Sequence, residues 1–448
     1  MNSIENLISQ PSSLSSSPDQ FKRSINMKDV AAIILGGGQG ARLSPLTISR
    51  CKPALCYGGR YRLVDIPISN AIHSGCQKIF LITQFLSSSL HRHILSTYRF
   101  GNSTSSAIEL LSAEEKPQRK TWFQGTADAV RQNLNYLEDT HADYFLILSG
   151  DQLYQMDYND LLQRARETDA DMVISCLPVN EKDTSRMGIM QVDKGNFITD
   201  FKEKPQLEKE LKQLILSKSQ LNKFGINTKN LNYLGSMGIY LFKRQVLIDL
   251  LMDDLGEDFG KHLIPHLVQK GRVAAHIHRG YWEDIGTIES FYSANMALTE
   301  DSPPFDCYNE NWPIFTKPVT LPGAKVFDAQ VSSSLLCEGA IIEAAEIINS
   351  IIGPRTVIKS GTKIHNTYIM GNDFFKTHQN NLRLPSQLHI GKNCTINKAI
   401  IDRHVSIGNN VQLINKGNLS NYDGNNINIR DGVIVVQHGA TIPDNFIL

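Results

Sequence analysis

The 448-residue sequence has no long apolar run, no excess of either charge and no Cys-x-x-Cys pair. No stretch approaches the roughly 20 apolar residues that a bilayer-spanning helix requires, so no membrane partner is expected. Its 45 Lys and Arg balance 45 Asp and Glu. That balance removes the basic surplus with which proteins hold nucleic acid. The seven cysteines, at 51, 56, 76, 176, 307, 337 and 394, are scattered and odd in number. A disulfide framework or zinc scaffold is thereby disfavoured, and a reducing compartment expected. Residues 1–26 are serine-rich and apolar-poor, which reads as a disordered tail. A transit peptide would be Arg-rich and poor in acids, whereas this segment carries Glu5 and Asp19 and little positive charge, and it lacks the apolar core of a secretory signal, so the cytoplasm is expected ahead of the plastid stroma.

What is present begins with Ala31–Leu35, a continuous apolar run of the kind buried on both faces of a parallel sheet, followed by the loop Gly36-Gly-Gly-Gln-Gly40. Gly36, Gly37, Gly38 and Gly40 let backbone amides approach a polyphosphate without Cβ interference. Arg42 and Lys52 add cations that could stabilise a triphosphate under attack. The Walker A pattern is absent. A dinucleotide fingerprint fits poorly, because Ala41 takes the third glycine place and the nearest acid, Asp65, comes late.

Beyond the loop, Lys78–Thr83, Tyr144–Ser149, residues 171–176 and residues 238–242 read as strands. Residues 157–168 and 245–253 read as helices, and Thr126 is expected to cap a helix whose Val130, Leu134 and Leu137 share a face. The alternation predicts a Rossmann-like α/β domain with a parallel sheet over residues 27–300. Ligands of such sheets lie at the carboxyl ends of the strands, where Asp151 follows Tyr144–Ser149 directly. Asp284, in Tyr281-Trp-Glu-Asp-Ile-Gly286, is a second carboxylate, and the two could hold Mg²⁺ together with substrate phosphates. Prolines between 303 and 322 mark a linker at 301–318. After it, aliphatics recur every sixth residue at Leu336, Ile342 and Ile348, at Ile352, Ile358, Ile364 and Met370, at Ile390 and Ile396, and at Ile401, Ile407 and Leu413. Period six is the hexapeptide rhythm of a parallel β-helix, expected over 319–448. Its open ends suggest a homotetramer.

Several strings together, among them Leu35–Leu43, Lys52-Pro-Ala54, Tyr61–Asn70, Trp122–Ala129, Ser149–Tyr154, Phe201–Pro205, Gly235–Tyr240, Asp258-Phe-Gly260 and Tyr281–Thr287, resemble ADP-glucose pyrophosphorylase, the glucose-1-phosphate adenylyltransferase family of bacteria and plants. The resemblance implies a left-handed β-helix and a reaction of ATP with glucose 1-phosphate that yields ADP-glucose and pyrophosphate. It implies catalytic roles for Arg42, Lys52 and Asp151, and Mg²⁺ on Asp151 and Asp284. It implies substrate contacts from the glycine loop and from Gln84, Trp122, Phe123, Gly125, Gly188, Glu203, Lys204 and Ser236. Ala41, Gln152 and Phe123 depart from residues common in that family. Arg403 and His438 fall where plant-type members bind an anionic metabolite effector, with His438 in place of Lys. An ordinary imidazole, titrating near 6.5, would gain charge there as the pH falls toward about 6. The rival readings are another sugar-1-phosphate nucleotidyltransferase, a weakly active regulatory subunit, and an acyltransferase using His365, His389, His404 or His438.

Overall fold

The computed structural model describes residues 26–98, 107–113, 122–225, 231–376 and 387–448; of the expected tail, all but Asn26 lies outside them. Strand Val30–Leu35 runs parallel between Lys78–Thr83 and Tyr144–Ser149. Its side chains alternate between two cores, with Val30, Ala32 and Ile34 on one face and Ala31 and Ile33 on the other. That double burial is why the run shows no polar alternation. Helices Asp65–Ser74 and Asn159–Thr168 cover the first face, Thr126–Gln132 and Arg244–Asp253 the second.

The sheet runs in the order Ile198–Glu203, Gly188–Val192, Tyr233–Lys243, Tyr144–Ser149, Val30–Leu35, Lys78–Thr83, Ala107–Ser112. It is mostly parallel. The long strand Tyr233–Lys243 runs antiparallel to Tyr144–Ser149 and to Met172–Val179, and Ile198–Glu203 antiparallel to Gly188–Val192. The apolar stretch 238–242 is only the second half of that long strand, because a bulge between Ser236 and Ile239, with Gly238 at φ +71°, interrupts the pattern. The expected helix after Thr126 also differs in detail. Gly125 is the residue before the first turn, Thr126 is already helical, and the helix breaks at Asn133 before resuming at Leu134–Glu138. Val130, Leu134 and Leu137 still bury together.

Among the described residues no helix or strand lies between Thr299 and Lys325. This segment is pinned to the α/β domain: Trp312 Nε1 donates to Asn70 at 2.8 Å, Phe315 N to Ser69 at 2.9 Å and Thr316 Oγ1 to Asp65 at 2.7 Å. From Lys325 on, short strands stack in parallel coils, with Ile342 against Ile358, Ile347 against Ile364 and Ile364 against Ile396. Ile342, Ile352, Ile358, Ile364, Ile390, Ile396, Ile401, Ile407 and Leu413 point into the coil core. Two hexad positions do not. Ile348 is 40% exposed while Ile347 is buried, and Met370 packs against the α/β domain while Ile369 enters the coil. Corners that shorten a face by a residue shift which neighbour points inward.

The coil and the α/β domain share one core: Ile351, Tyr368, Ile400, Val433 and Val435 join the cluster that contains Val30 and Ile34. Polar contacts reinforce this seam. Tyr368 OH donates to Cys56 O at 3.0 Å, and Arg50 binds Asp402 through Nη1 at 2.8 Å and Nη2 at 3.2 Å, with both side chains buried. Among the described residues, no helix is long and apolar enough to cross a membrane.

Candidate active site

Three strand ends converge on one cleft. Gly36 N donates to Ile82 O at 2.8 Å and Gly150 N to Leu35 O at 3.1 Å, which locks the glycine loop and the Ser149–Asp151 turn together at the carboxyl edge of the sheet. A cavity of about 670 Å³ opens there. Gly37, Gly38 and Gln39 form part of its wall, with Lys52, Asp151 and Asp284 close by. Gly36 and Gly40 shape the loop without lining the cavity: Gly36 is tied to the neighbouring strand, and Gly40, at φ +63°, accepts from Thr47 Oγ1 at 2.9 Å.

Asp151 and Asp284 meet on a single ammonium. Lys52 Nζ lies 2.6 Å from Asp151 Oδ2 and 3.3 Å from Asp284 Oδ1. The meeting is arranged by a short antiparallel ladder in which Trp282–Asp284 pairs with Gln152–Tyr154 and places Asp284 opposite Gln152. Ile285 N then donates to Asp151 O, Trp282 Nε1 donates to Gln152 Oε1 at 3.3 Å, and Ser149 Oγ donates to Asp151. Burial alone would favour neutral Lys52, but the two carboxylates outweigh it and hold the pKa above the ordinary 10.5. Two partly buried carboxylates sharing one cation fit Mg²⁺, which takes oxygen ligands and leaves positions for phosphates. Among the described residues no cluster of three or more acidic, His or Cys side chains offers a closed metal cage. Arg42 stands apart from the cleft wall. It is exposed, and its guanidinium flanks Gly286 on the side where Asp284 Oδ2 lies.

Gln84, Trp122, Phe123, Gly125, Gly188, Glu203, Lys204 and Ser236 all line the same cavity. Gln84 grips the backbone of Phe123, accepting from its N at 3.0 Å and donating to its O at 3.4 Å. Trp122, 57% exposed, stacks on Phe85 with centroids 5.3 Å apart. At Gly125 the backbone of Glu257 comes so close that an added Cβ would lie 2.3 Å from Glu257 O. Ser236 sits at the bulge, accepting from Gly238 N at 3.2 Å and donating to Tyr240 OH at 3.4 Å. Glu203 ends strand Ile198–Glu203, and Lys204 follows at φ +48°, a conformation a lysine adopts only under constraint. Its Nζ lies 3.1 Å from Glu203 Oε1. Residues that sequence reasoning missed share the wall: Gln39, Thr126, Arg186, Asp258, Phe259 and Gly260. Asp258-Phe-Gly260 stood among the recognised strings, but nothing in its pattern announced a cleft.

Arg403 and His438 lie away from this cavity, at the seam. Arg403 Nη1 contacts Asp373 at 2.9 Å, and His404 Nε2 contacts the other oxygen of Asp373 at 3.1 Å. Burial opposes the charge on Asp373, but His404 and Arg403 prevail and hold its carboxyl well below the usual range. His438 Nδ1 faces Arg50 Nη2 at 3.0 Å, which makes that nitrogen the acceptor. This corrects the expectation of a readily protonated imidazole. Part of His438 meets solvent, yet lost hydration, with Arg50, His404 and Arg403 nearby, brings its pKa down to about 4.

Residues 31–301 match the family model described as Nucleotidyl transferase, and residues 319–447 match that of the GLGC left-handed parallel beta-helix domain.

Proposed function

The chain belongs to the nucleotidyl transferase family, and on that premise we propose that it is a glucose-1-phosphate adenylyltransferase, joining ATP and glucose 1-phosphate into ADP-glucose with release of pyrophosphate. The coarser assignment, a sugar-1-phosphate nucleotidyltransferase, is supported by the family match together with the GLGC-type coil. The observation that carries the finer reading is the placement of Lys52, Asp151 and Asp284 in one cavity with Glu203, Lys204 and Ser236.

The reaction is an in-line displacement. An oxygen of the sugar phosphate attacks the α-phosphorus of ATP, and the bond to the pyrophosphate oxygen breaks. No covalent enzyme intermediate is required, so the protein contributes positioning and charge neutralisation. The amides of Gly37, Gly38 and Gln39 face the triphosphate, and the Lys52 ammonium neutralises charge on the phosphorus under attack. Lys204 pairs with the phosphate of the sugar, while Glu203 and Ser236 pair with sugar hydroxyls. Mg²⁺, held by Asp151 and Asp284, would supply further neutralisation of the phosphates. An anionic effector at Arg403 and a homotetramer built through the coil accompany this proposal.

The test is a panel of five nucleoside triphosphates crossed with several sugar 1-phosphates, followed by product identification. ATP with glucose 1-phosphate should give the highest kcat/KM. A faster pair would replace the substrates named here, and no transfer with any pair would refute the reaction.

A further inference from the structure

We propose that Gly260 is a positioning residue for the sugar subsite, existing as glycine so that the Glu203 carboxylate can occupy the place its side chain would take. This rests on the reading of Glu203 as a sugar-hydroxyl acceptor.

The observation is steric. A methyl group on Gly260 would stand 2.6 Å from Glu203 Oε2, 2.8 Å from its Cδ and 3.3 Å from Oε1. The overlap is therefore with the carboxylate group as a whole. Gly188 closes the other side, where an added Cβ would lie 2.9 Å from the same Oε2. The carboxylate sits in a notch between two glycines and within salt-bridge distance of Lys204 Nζ, with its side chain only 16% exposed.

The local fold explains how Gly260 gets there. Residues Phe259–Leu263 form one wide π-type turn, in which Leu263 N reaches back to Asp258 O at 3.4 Å. Asp258 Oδ1 caps the turn by accepting from Lys261 N at 3.1 Å, and Thr126 Oγ1 donates to Asp258 Oδ2 at 3.1 Å. Such turns insert one extra residue into a helical start and occur often at functional sites. Here the widened turn presents Gly260 to the end of strand Ile198–Glu203, and helix Ile264–Lys270 continues from it, directly behind. The backbone of Gly260 does not occupy the left-handed region, so alanine can adopt it. The three atoms nearest to that methyl all belong to the Glu203 carboxylate. At Gly188, by contrast, a methyl would also strike Phe201 Cζ at 2.3 Å, and Phe201 is buried in the core.

Gly260→Ala should consequently fold and swing Glu203 out of its notch. The loss is confined to interactions with the sugar: KM for glucose 1-phosphate rises at least about tenfold, while kcat and KM for ATP stay within about twofold. A double-mutant cycle separates this from a general defect. In a Glu203→Ala background, Gly260→Ala should cost nothing further, because the group it displaces is gone. An equal cost in both backgrounds, or no cost in the wild-type background, overturns the proposal. If the panel shows that the wild type uses another sugar 1-phosphate, the cycle is run on that substrate. If the wild type transfers nothing, the catalytic reading has failed, and calorimetric binding of glucose 1-phosphate to the four proteins decides the notch by the same criterion.

Discussion

Asp151→Asn isolates the charge of one carboxylate while keeping its size. In the structure Asp151 and Asp284 divide the Lys52 ammonium between them at 2.6 and 3.3 Å. Removing the Asp151 charge leaves Lys52 still paired with Asp284, so no buried charge is stranded, and the stability cost should be only about 1 kcal/mol. For a chain of this size that is a fall in Tm of about 1 °C. The catalytic cost should be much larger. Loss of a pre-placed charge acting on the reacting phosphate reduces turnover roughly 10²–10³-fold, worth about 2.7–4 kcal/mol. The assay is kcat at saturating ATP, sugar phosphate and Mg²⁺, with calorimetric ATP binding and a melting curve on the same protein. Lys52→Met supplies the converse. It leaves two like charges facing each other, so the melting temperature should fall below that of the wild type. Added Mg²⁺ should raise it more than in the wild type. Turnover of Asp151→Asn within a few-fold of wild type, with ATP binding intact, would refute the reasoning.

Three further outcomes follow from other contacts. Lys204→Ala should raise KM for the sugar phosphate far more than for ATP, and equal changes would assign Lys204 a purely structural role. Asp402→Asn removes the partner of buried Arg50 and should destabilise the protein by about 3 kcal/mol or more, read by chemical denaturation; a change under about 1 kcal/mol would mean that His438 suffices as partner. His438, with its pKa brought down to about 4, stays neutral from pH 8 to pH 6, so activation by a phosphorylated metabolite should not depend on this residue across that window. Because its unfolded value is near 6.5, the folded state binds fewer protons between those values, and stability attributable to His438 is lost as the pH falls from about 6.5 toward 4. His438→Gln should flatten that part of the stability profile, and an unchanged profile would place the titration elsewhere.

The sequence made legible whatever a local pattern records. The buried run Ala31–Leu35, the glycine loop and the hexad aliphatics all state their environment by spacing alone, and each stands close to where that spacing puts it. The meeting of Asp151 and Asp284 leaves no mark in the sequence, because it depends on a three-residue ladder too short to leave a periodicity. The Arg50–Asp402 bridge joins residues on different domains, and no pattern connects them. The charge state of His438 follows first from lost hydration at the seam and then from cations such as Arg50, 388 positions away, none of which its local sequence records. Nothing in the sequence around Gly260 records the Glu203 carboxylate that lies beside it.

The shared core at the seam carries a consequence for anyone who would take the molecule apart. Tyr368, Ile400 and Val435 belong to the coil by chain position, yet they bury against the same cluster as Val30. A cut in the extended segment before Lys325 would sever no helix or strand, but would uncover apolar faces on both halves. The isolated α/β piece should aggregate rather than work, and melting of the whole chain should follow one cooperative transition. Swapping coils between relatives therefore means refitting side chains across the seam, where Met370, Tyr368 and Asp402 have to travel with Arg50 and Cys56. Modular in sequence, the protein is one unit to the solvent.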